Sequence, residues 1–158
     1  MKTEQYIGAT GGLIGAIAAA AAGCWQIILV VFILYGLALF GNLGTGIFYA
    51  HQTRTYSAEK ARHATYMKGG MILGILVVAV IDVMLMGLAT QVGISYSVPF
   101  LACVLAGYAG THEVTSMLEN LKKLGNKVPQ VLEDKVKEAG EALNQGKFPS
   151  FPDGGEPE

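Results

Sequence analysis

The chain has 158 residues, of which 52% are hydrophobic and only 15% are charged, whereas an ordinary soluble domain carries about 25% charged residues. This length allows one compact unit or a small membrane bundle and excludes an assembly of several domains. Eleven Lys and Arg against twelve Asp and Glu give a net charge of −1. That balance argues against a nucleic-acid partner, because binding to phosphate needs a surplus of cations.

Two long tracts of the chain contain almost no charged residues. No Lys, Arg, Asp or Glu lies between Glu4 and Arg54, and Asp82 is the one charge between Lys68 and Glu113. A helix needs about 20 residues to cross the roughly 30 Å hydrocarbon core of a bilayer. The sequence therefore predicts an all-α membrane protein with about four transmembrane helices, three being the alternative, followed by C-terminal cytoplasmic amphipathic helices.

The first tract is long enough for two crossings, expected at about 7–23 and 26–49. A break between them is expected at Gly23-Cys24-Trp25-Gln26, since Trp favours the membrane interface and Gln26 is polar. The next residues, 50–68, form a polar loop in which Ser57 is a candidate N-cap.

The second tract predicts a third span at about 69–90 and a fourth at about 94–114. A short turn with Gly93, Ser95 and Ser97 separates them, and Pro99 lies in the first turn of the fourth span, where proline is tolerated. The predicted transmembrane region therefore covers residues 1–116.

Beyond this region the composition changes. Residues 117–147 predict a cytoplasmic amphipathic helical tail that breaks at Gly125-Asn126 and restarts near Pro129. Residues 148–158 are rich in Pro, Gly and acid and are expected to be disordered. The apolar positions of the tail recur at helical spacing: Val128, Val131, Leu132, Val136, Ala139 and Leu143.

The basic residues predict the orientation. One precedes the first span, four lie in the middle loop and six follow the last span. Cations near span ends mark the cytoplasmic side, so a four-span chain has both termini in the cytoplasm. A three-span chain with the N-terminus outside violates the rule only at Lys2.

Small residues at spacings of four mark candidate packing faces. In lipid, helices associate through close backbone approach at such residues. The packing could lie within one chain or between copies in a homo-oligomer. The candidate packing and oligomerisation residues are Gly8, Gly12, Gly11, Gly15, Gly46, Gly70, Gly74, Ala102, Ala106 and Gly110.

Polar residues inside the spans are the candidate pore residues: Asn42, Thr45, Asp82 and Glu113. Asp82 is the one formal charge well inside a span, and a carboxylate in hydrocarbon costs at least about 2.5 kcal/mol. Asp82 either makes a structural hydrogen bond within the bundle or lines an aqueous path.

No catalytic, cofactor or metal site is expected. His112 and Glu113 point about 100° apart on a helix, and the sequence lacks a nucleophile elbow. His51, His63 and His112 do not have metal-ligand spacing. The chain is therefore predicted not to be an enzyme.

Several motifs resemble those of the phage holin family, which also includes clostridial toxin-secretion holins. Asn42 with Thr45-Gly46 ends an early span, Ser57 and Lys68 lie in the polar loop, and Asp82 lies in the next span. The most specific segment is Glu113-Val-Thr-Ser116-Met-Leu-Glu119-Asn120 with Gly125 and Pro129 downstream. The family usually has Asp at the position of Asn42, which implies a need for a hydrogen-bonding group rather than a charge.

This resemblance implies a protein of the cytoplasmic membrane that accumulates, oligomerises and permeabilises the bilayer, so that an endolysin or a toxin crosses. Two other hypotheses compete with this one. A membrane scaffold would dock a cytoplasmic partner through the C-terminal helix, and a membrane enzyme or proton-coupled transporter would use Asp82 and Glu113.

Overall fold

In the computed structural model of the protein, residues 2–94 and 98–147 are described, with side-chain surroundings from Gly12 onward. These residues form four helices: α1 (Lys2–Gln52), α2 (Ala58–Gln91), α3 (Phe100–Lys123) and α4 (Gln130–Asn144). The predicted all-helical fold is confirmed. The acidic tail 148–158 and the turn residues Ser95 and Ser97 lie outside the described residues.

Helix α1 runs through the break expected at Gly23–Gln26, which corrects the prediction of two separate helices over 7–23 and 26–49. Residues 7–49 contain no proline, and alanine, which is frequent in the first half, is the best helix former. Cys24 is fully buried, so this point is a packing contact rather than an exit from the bundle. A single helix of 51 residues is about 77 Å long, more than twice the thickness of the hydrocarbon core.

Helix α2 joins the polar loop to the third apolar tract. Ser57 is its N-cap, as predicted, and accepts a hydrogen bond from the Lys60 N–H. The helix therefore begins at Ala58 and continues through the span predicted at 69–90. It ends at Gln91, and Gly93, two residues later, has a φ of +79°, which suits a glycine after a helix C-terminus.

Helix α3 begins at Phe100, later than the fourth span predicted at 94–114, because Pro99 occupies the N-cap. The helix continues beyond that span to Lys123 and ends in a Schellman motif. Gly125 has a φ of +88°, and the Asn126 N–H donates to the Leu121 carbonyl at 3.0 Å. The break expected at Gly125-Asn126 is thus present, and α4 follows with Pro129 as its N-cap.

The first three helices pack side by side, with α1 parallel to α3 and α2 antiparallel to both. Near one end Gly87 of α2 lies against Ile17 of α1, and near the other Asn42 of α1 bonds to Glu113 of α3. Between these points lies a core cluster of Tyr35, Leu39, Ile75, Ala106 and Ala109.

Two of the described helices are long and apolar enough to cross a membrane: α1, over Gly12–Gln52, and α2, over Ala58–Gln91. Many of their large apolar side chains are exposed, among them Leu37, Phe40 and Leu73, each at least 64%. A surface of this kind is stable against lipid rather than water. Helix α3 packs against both of these helices.

The predicted small-residue faces divide into two groups. Ala102 and Ala106 are buried within the chain, and a Cβ at Gly46 would lie 3.4 Å from Asn120 Nδ2. The second group faces open space, with nothing within 4 Å of an added Cβ: Gly12, Gly15, Gly70, Gly74 and Gly110. The surroundings of Gly8 and Gly11 lie outside the described residues.

Gly87 is the glycine at which α1 and α2 approach most closely, because a Cβ there would lie 3.0 Å from the Ile17 backbone. We expect Gly87→Ala to lower the unfolding free energy in detergent by about 1–3 kcal/mol through overpacking. Gly74→Ala is the matched control, since its Cβ meets open space, and it should be neutral or mildly stabilising. Equal thermal midpoints for the two variants would contradict this packing.

Candidate functional site

Four polar side chains meet between α1, α2 and α3. The Asn42 Nδ2 of α1 donates to the Glu113 Oε2 of α3 at 2.6 Å, and the Lys68 ammonium of α2 donates to the same oxygen. Asn120 Nδ2 donates to Asn42 Oδ1 at 3.1 Å. We call Asn42, Lys68, Glu113 and Asn120 the polar cluster.

Burial makes the contacts of the polar cluster strong. The Lys68 and Glu113 side chains are only 17% and 10% exposed, so water screens their attraction weakly. A buried carboxylate must be paired, because removing it from water costs several kcal/mol. Glu113 is therefore neutralised by a cation from one helix and hydrogen-bonded by an amide from another.

The polar cluster combines residues that the sequence had placed in different groups. Asn42 and Glu113 were candidate pore residues, and Asn120 belonged to the family motif. The sequence placed Lys68 only in the polar loop, whereas the structure places it opposite Glu113, 45 positions along the chain. The one available signal was that Lys68 is the last cation before an apolar tract.

A cavity of about 510 Å³ adjoins the polar cluster between α1, α2 and α3. Its polar lining comes from Tyr35, Asn42, Lys68, His112 and Glu113. The Tyr35 hydroxyl is buried and has no hydrogen-bond partner among the described residues. The rest of the lining is apolar and includes Met67 and Met71, so the polar atoms occupy only one side of this half-open cavity.

Asp82 lies apart from the polar cluster and is 1% exposed. Its Oδ2 accepts a hydrogen bond from the Ala102 backbone N–H at 2.7 Å, in the first turn of α3. Pro99, the N-cap of that helix, makes no side-chain cap bond. Asp82 thus caps α3 from a neighbouring helix, where a negative charge is favourable.

The other polar residues singled out by the sequence lie outside the polar cluster. Thr45 donates to carbonyls of its own helix, at 2.9 Å to Gly41 and 3.1 Å to Asn42. Ser116 and Glu119 line a groove between α3 and α4. Among the described residues, no group of three or more His, Cys, Asp or Glu could hold a metal ion.

Helix α4 folds back along α3. A Cβ at Gly107 would lie 3.1 Å from Leu143, and one at Gly140 would lie 3.0 Å from the Thr111 hydroxyl. At the other end of α4, Glu133 Oε2 accepts from the Lys122 ammonium at 2.6 Å. These contacts run α4 antiparallel to the second half of α3.

Comparison with known families gives a match to the bacteriophage holin family over residues 16–141. The chain belongs to the bacteriophage holin family. No curated protein and no solved structure matches the chain. The family match covers α2, α3 and most of α1 and α4, so the polar cluster lies within the holin region of the chain.

Membership of the holin family indicates a non-enzymatic membrane protein. The structure also gives a reason for Asn42 at the position where the resemblance leads one to expect Asp. Asn42 uses both ends of its amide, donating to Glu113 and accepting from Asn120. A carboxylate at this position would place a second negative charge against Glu113, with the Lys68 ammonium as the nearby cation.

The first prediction for this site concerns the Lys68–Glu113 pair. We expect Lys68→Met to lower the unfolding free energy in mixed micelles by about 3–5 kcal/mol, because it leaves a buried carboxylate unpaired. Adding Glu113→Gln removes that charge and keeps an acceptor for Asn42, so the double variant should be more stable than Lys68→Met. Additive losses, within about 0.5 kcal/mol, would show that the two residues do not interact.

The second prediction concerns Asp82. Asn at this position retains a side-chain oxygen that can accept from the Ala102 N–H, whereas Leu cannot. We expect Asp82→Asn to retain most of the stability and Asp82→Leu to lose about 1–3 kcal/mol, the cost of a buried unpaired N–H. Denaturation of both variants in the same detergent checks this. If Asn costs as much as Leu, the carboxylate charge rather than the cap determines stability.

Proposed function

We propose that this chain is a holin that oligomerises in the bacterial cytoplasmic membrane and permeabilises it, allowing an endolysin or a toxin to cross. The observation that carries the proposal is the polar cluster, an ion pair with two amides held between the membrane helices of a holin-family chain. Intramembrane ionisable residues are costly and are usually functional.

The proposed topology has three crossings. Because α1 is one continuous helix, its two ends lie on opposite sides of the membrane if it crosses. The middle loop and the C-terminal segment carry ten of the eleven cations and are assigned to the cytoplasm. The N-terminus then lies on the outer side, which supports the three-span alternative over the prediction that both termini are cytoplasmic.

The proposed assembly uses the open glycine faces. Gly70 and Gly74 lie one turn apart on α2 with open space around them. Packing of small residues drives helix association in lipid, and these two are not used for packing within the chain. They are therefore the candidate contact between copies.

The proposed opening exposes the polar cluster to water. In the single chain, Glu113 and Lys68 neutralise each other beside the half-open cavity between α1, α2 and α3. When copies assemble, rearranged helices can turn these groups towards a shared aqueous space. Hydration of the ion pair would offset the loss of its buried contacts.

A scaffold function is the second candidate. Val131 and Leu132 of α4 are 73% and 47% exposed, and exposed apolar residues on a charged helix can dock a cytoplasmic partner. A scaffold needs that partner, whereas a holin acts alone on a bilayer.

The deciding experiment uses the purified chain in lipid vesicles filled with a fluorescent dye. We expect leakage that rises steeply with protein density, because permeation requires assembly. Gly70→Ile/Gly74→Ile should raise the density needed for half-maximal leakage several-fold, since bulk there blocks close approach. The matched control is Leu73→Ile/Val77→Ile, which replaces exposed bulky residues of the same helix and should behave like the wild type.

Vesicles that stay tight at every protein density would contradict the proposed function and favour the scaffold. Equal effects of the glycine and control variants would contradict the assignment of the α2 glycines as the contact between copies, although permeation itself would still stand.

A further inference from the structure

Helix α4 lies at the depth of the membrane helices. Its Leu143 end contacts Gly107, which is six residues, or about 9 Å, before Glu113 on α3. Its other end is at Lys122. The exposed apolar surface of α1 extends as far as this second end of α4. The Tyr49 ring centroid lies 5.9 Å from the ammonium of Lys123, the residue after Lys122, and the neighbouring Phe48 is 64% exposed.

The outer face of α4 is charged. The Lys135 and Glu138 side chains pair with each other yet are 66% and 60% exposed. Three more charged residues of α4 are also exposed: Asp134, Lys137 and Glu141. We call these five residues the charged face of α4.

Lipid cannot cover the charged face. Each charged side chain in hydrocarbon costs at least about 2.5 kcal/mol on insertion scales. Five of them together cost about 12 kcal/mol, which is comparable with the whole stability of a typical domain. The contacts to Thr111 and Gly107 are short-range packing contacts and do not offset a cost of that size. The docked position of α4 therefore requires water on its outer side.

We propose that the charged face of α4 lines the aqueous passage of the assembled holin. The inference rests on the proposed function, because assembly supplies the water-filled space at membrane depth. It also assigns two positions to α4. In a copy surrounded by lipid, α4 lies in the cytoplasm; in the assembly it docks on α3 and turns its charges to the lumen.

A disulfide can hold α4 in the docked position. A Cβ at Gly140 would lie 3.5 Å from the Thr111 Cβ, within the range found in disulfides. Thr111→Cys/Gly140→Cys in a Cys24→Ala/Cys103→Ala background therefore gives a redox-controlled staple. Vesicle leakage is then measured for the oxidised and the reduced protein, with the cysteine-free chain as control.

We expect the oxidised staple to leak at least as well as its reduced form, at the same or a lower protein density, because docking is already complete. Leakage that is lost on oxidation and restored by reduction would overturn the proposal, since docked α4 would then close the passage. A cysteine-free chain that leaves vesicles tight refutes the proposed function, and this inference with it.

A labelling measurement tests the lining directly. Glu138→Cys, introduced into the stapled and oxidised protein, should react with a membrane-impermeant cationic maleimide. Leu73→Cys is the matched control in the same background, because Leu73 is 64% exposed on the apolar surface of α2 and should stay unlabelled. A leaking stapled protein in which Glu138→Cys reacts no faster than Leu73→Cys would show that α4 does not line the passage.

Discussion

The Glu113 carboxylate is the constraint on which the bundle depends. Its side chain is 10% exposed on a helix packed against two apolar partners, and a carboxylate there is stable only with a cation and hydrogen-bond donors around it. Lys68 and Asn42 supply them from α2 and α1. One group thus fixes the register of three helices, which apolar packing alone specifies weakly in lipid.

A polar cluster in this position suits a protein whose helices must rearrange when copies assemble. Removing one partner of a buried ion pair is strongly destabilising, but the intact pair contributes little more stability than apolar packing would. Water can therefore replace the contacts of the pair at a modest cost in free energy. Asp82 holds the other end of the bundle through the α3 N-terminus. We therefore see one end as a fixed cap and the other, at the polar cluster, as the part that water can enter.

The sequence predicted the helical class, the loop at Ser57, the end of α3 at Gly125 and the start of α4 at Pro129, because each depends on local chemistry. The break predicted at Gly23–Gln26 was wrong. Trp and Gln are typical of a membrane interface, but here the chain continues as a helix and Cys24 is buried against its neighbours. The sequence also could not predict the Lys68–Glu113 pair. That pair depends on the register of two antiparallel helices, and residue types 45 positions apart do not encode it.

The single continuous α1 is the central claim for topology, and impermeant thiol labelling of intact spheroplasts tests it most directly. In a Cys24→Ala/Cys103→Ala background, one cysteine is placed at Thr3 and, in a second protein, at Thr53 in the loop after α1. With one crossing, Thr3→Cys should react from outside and Thr53→Cys only after lysis. Protection of both positions before lysis would place both ends of α1 in the cytoplasm and contradict the three-crossing bundle.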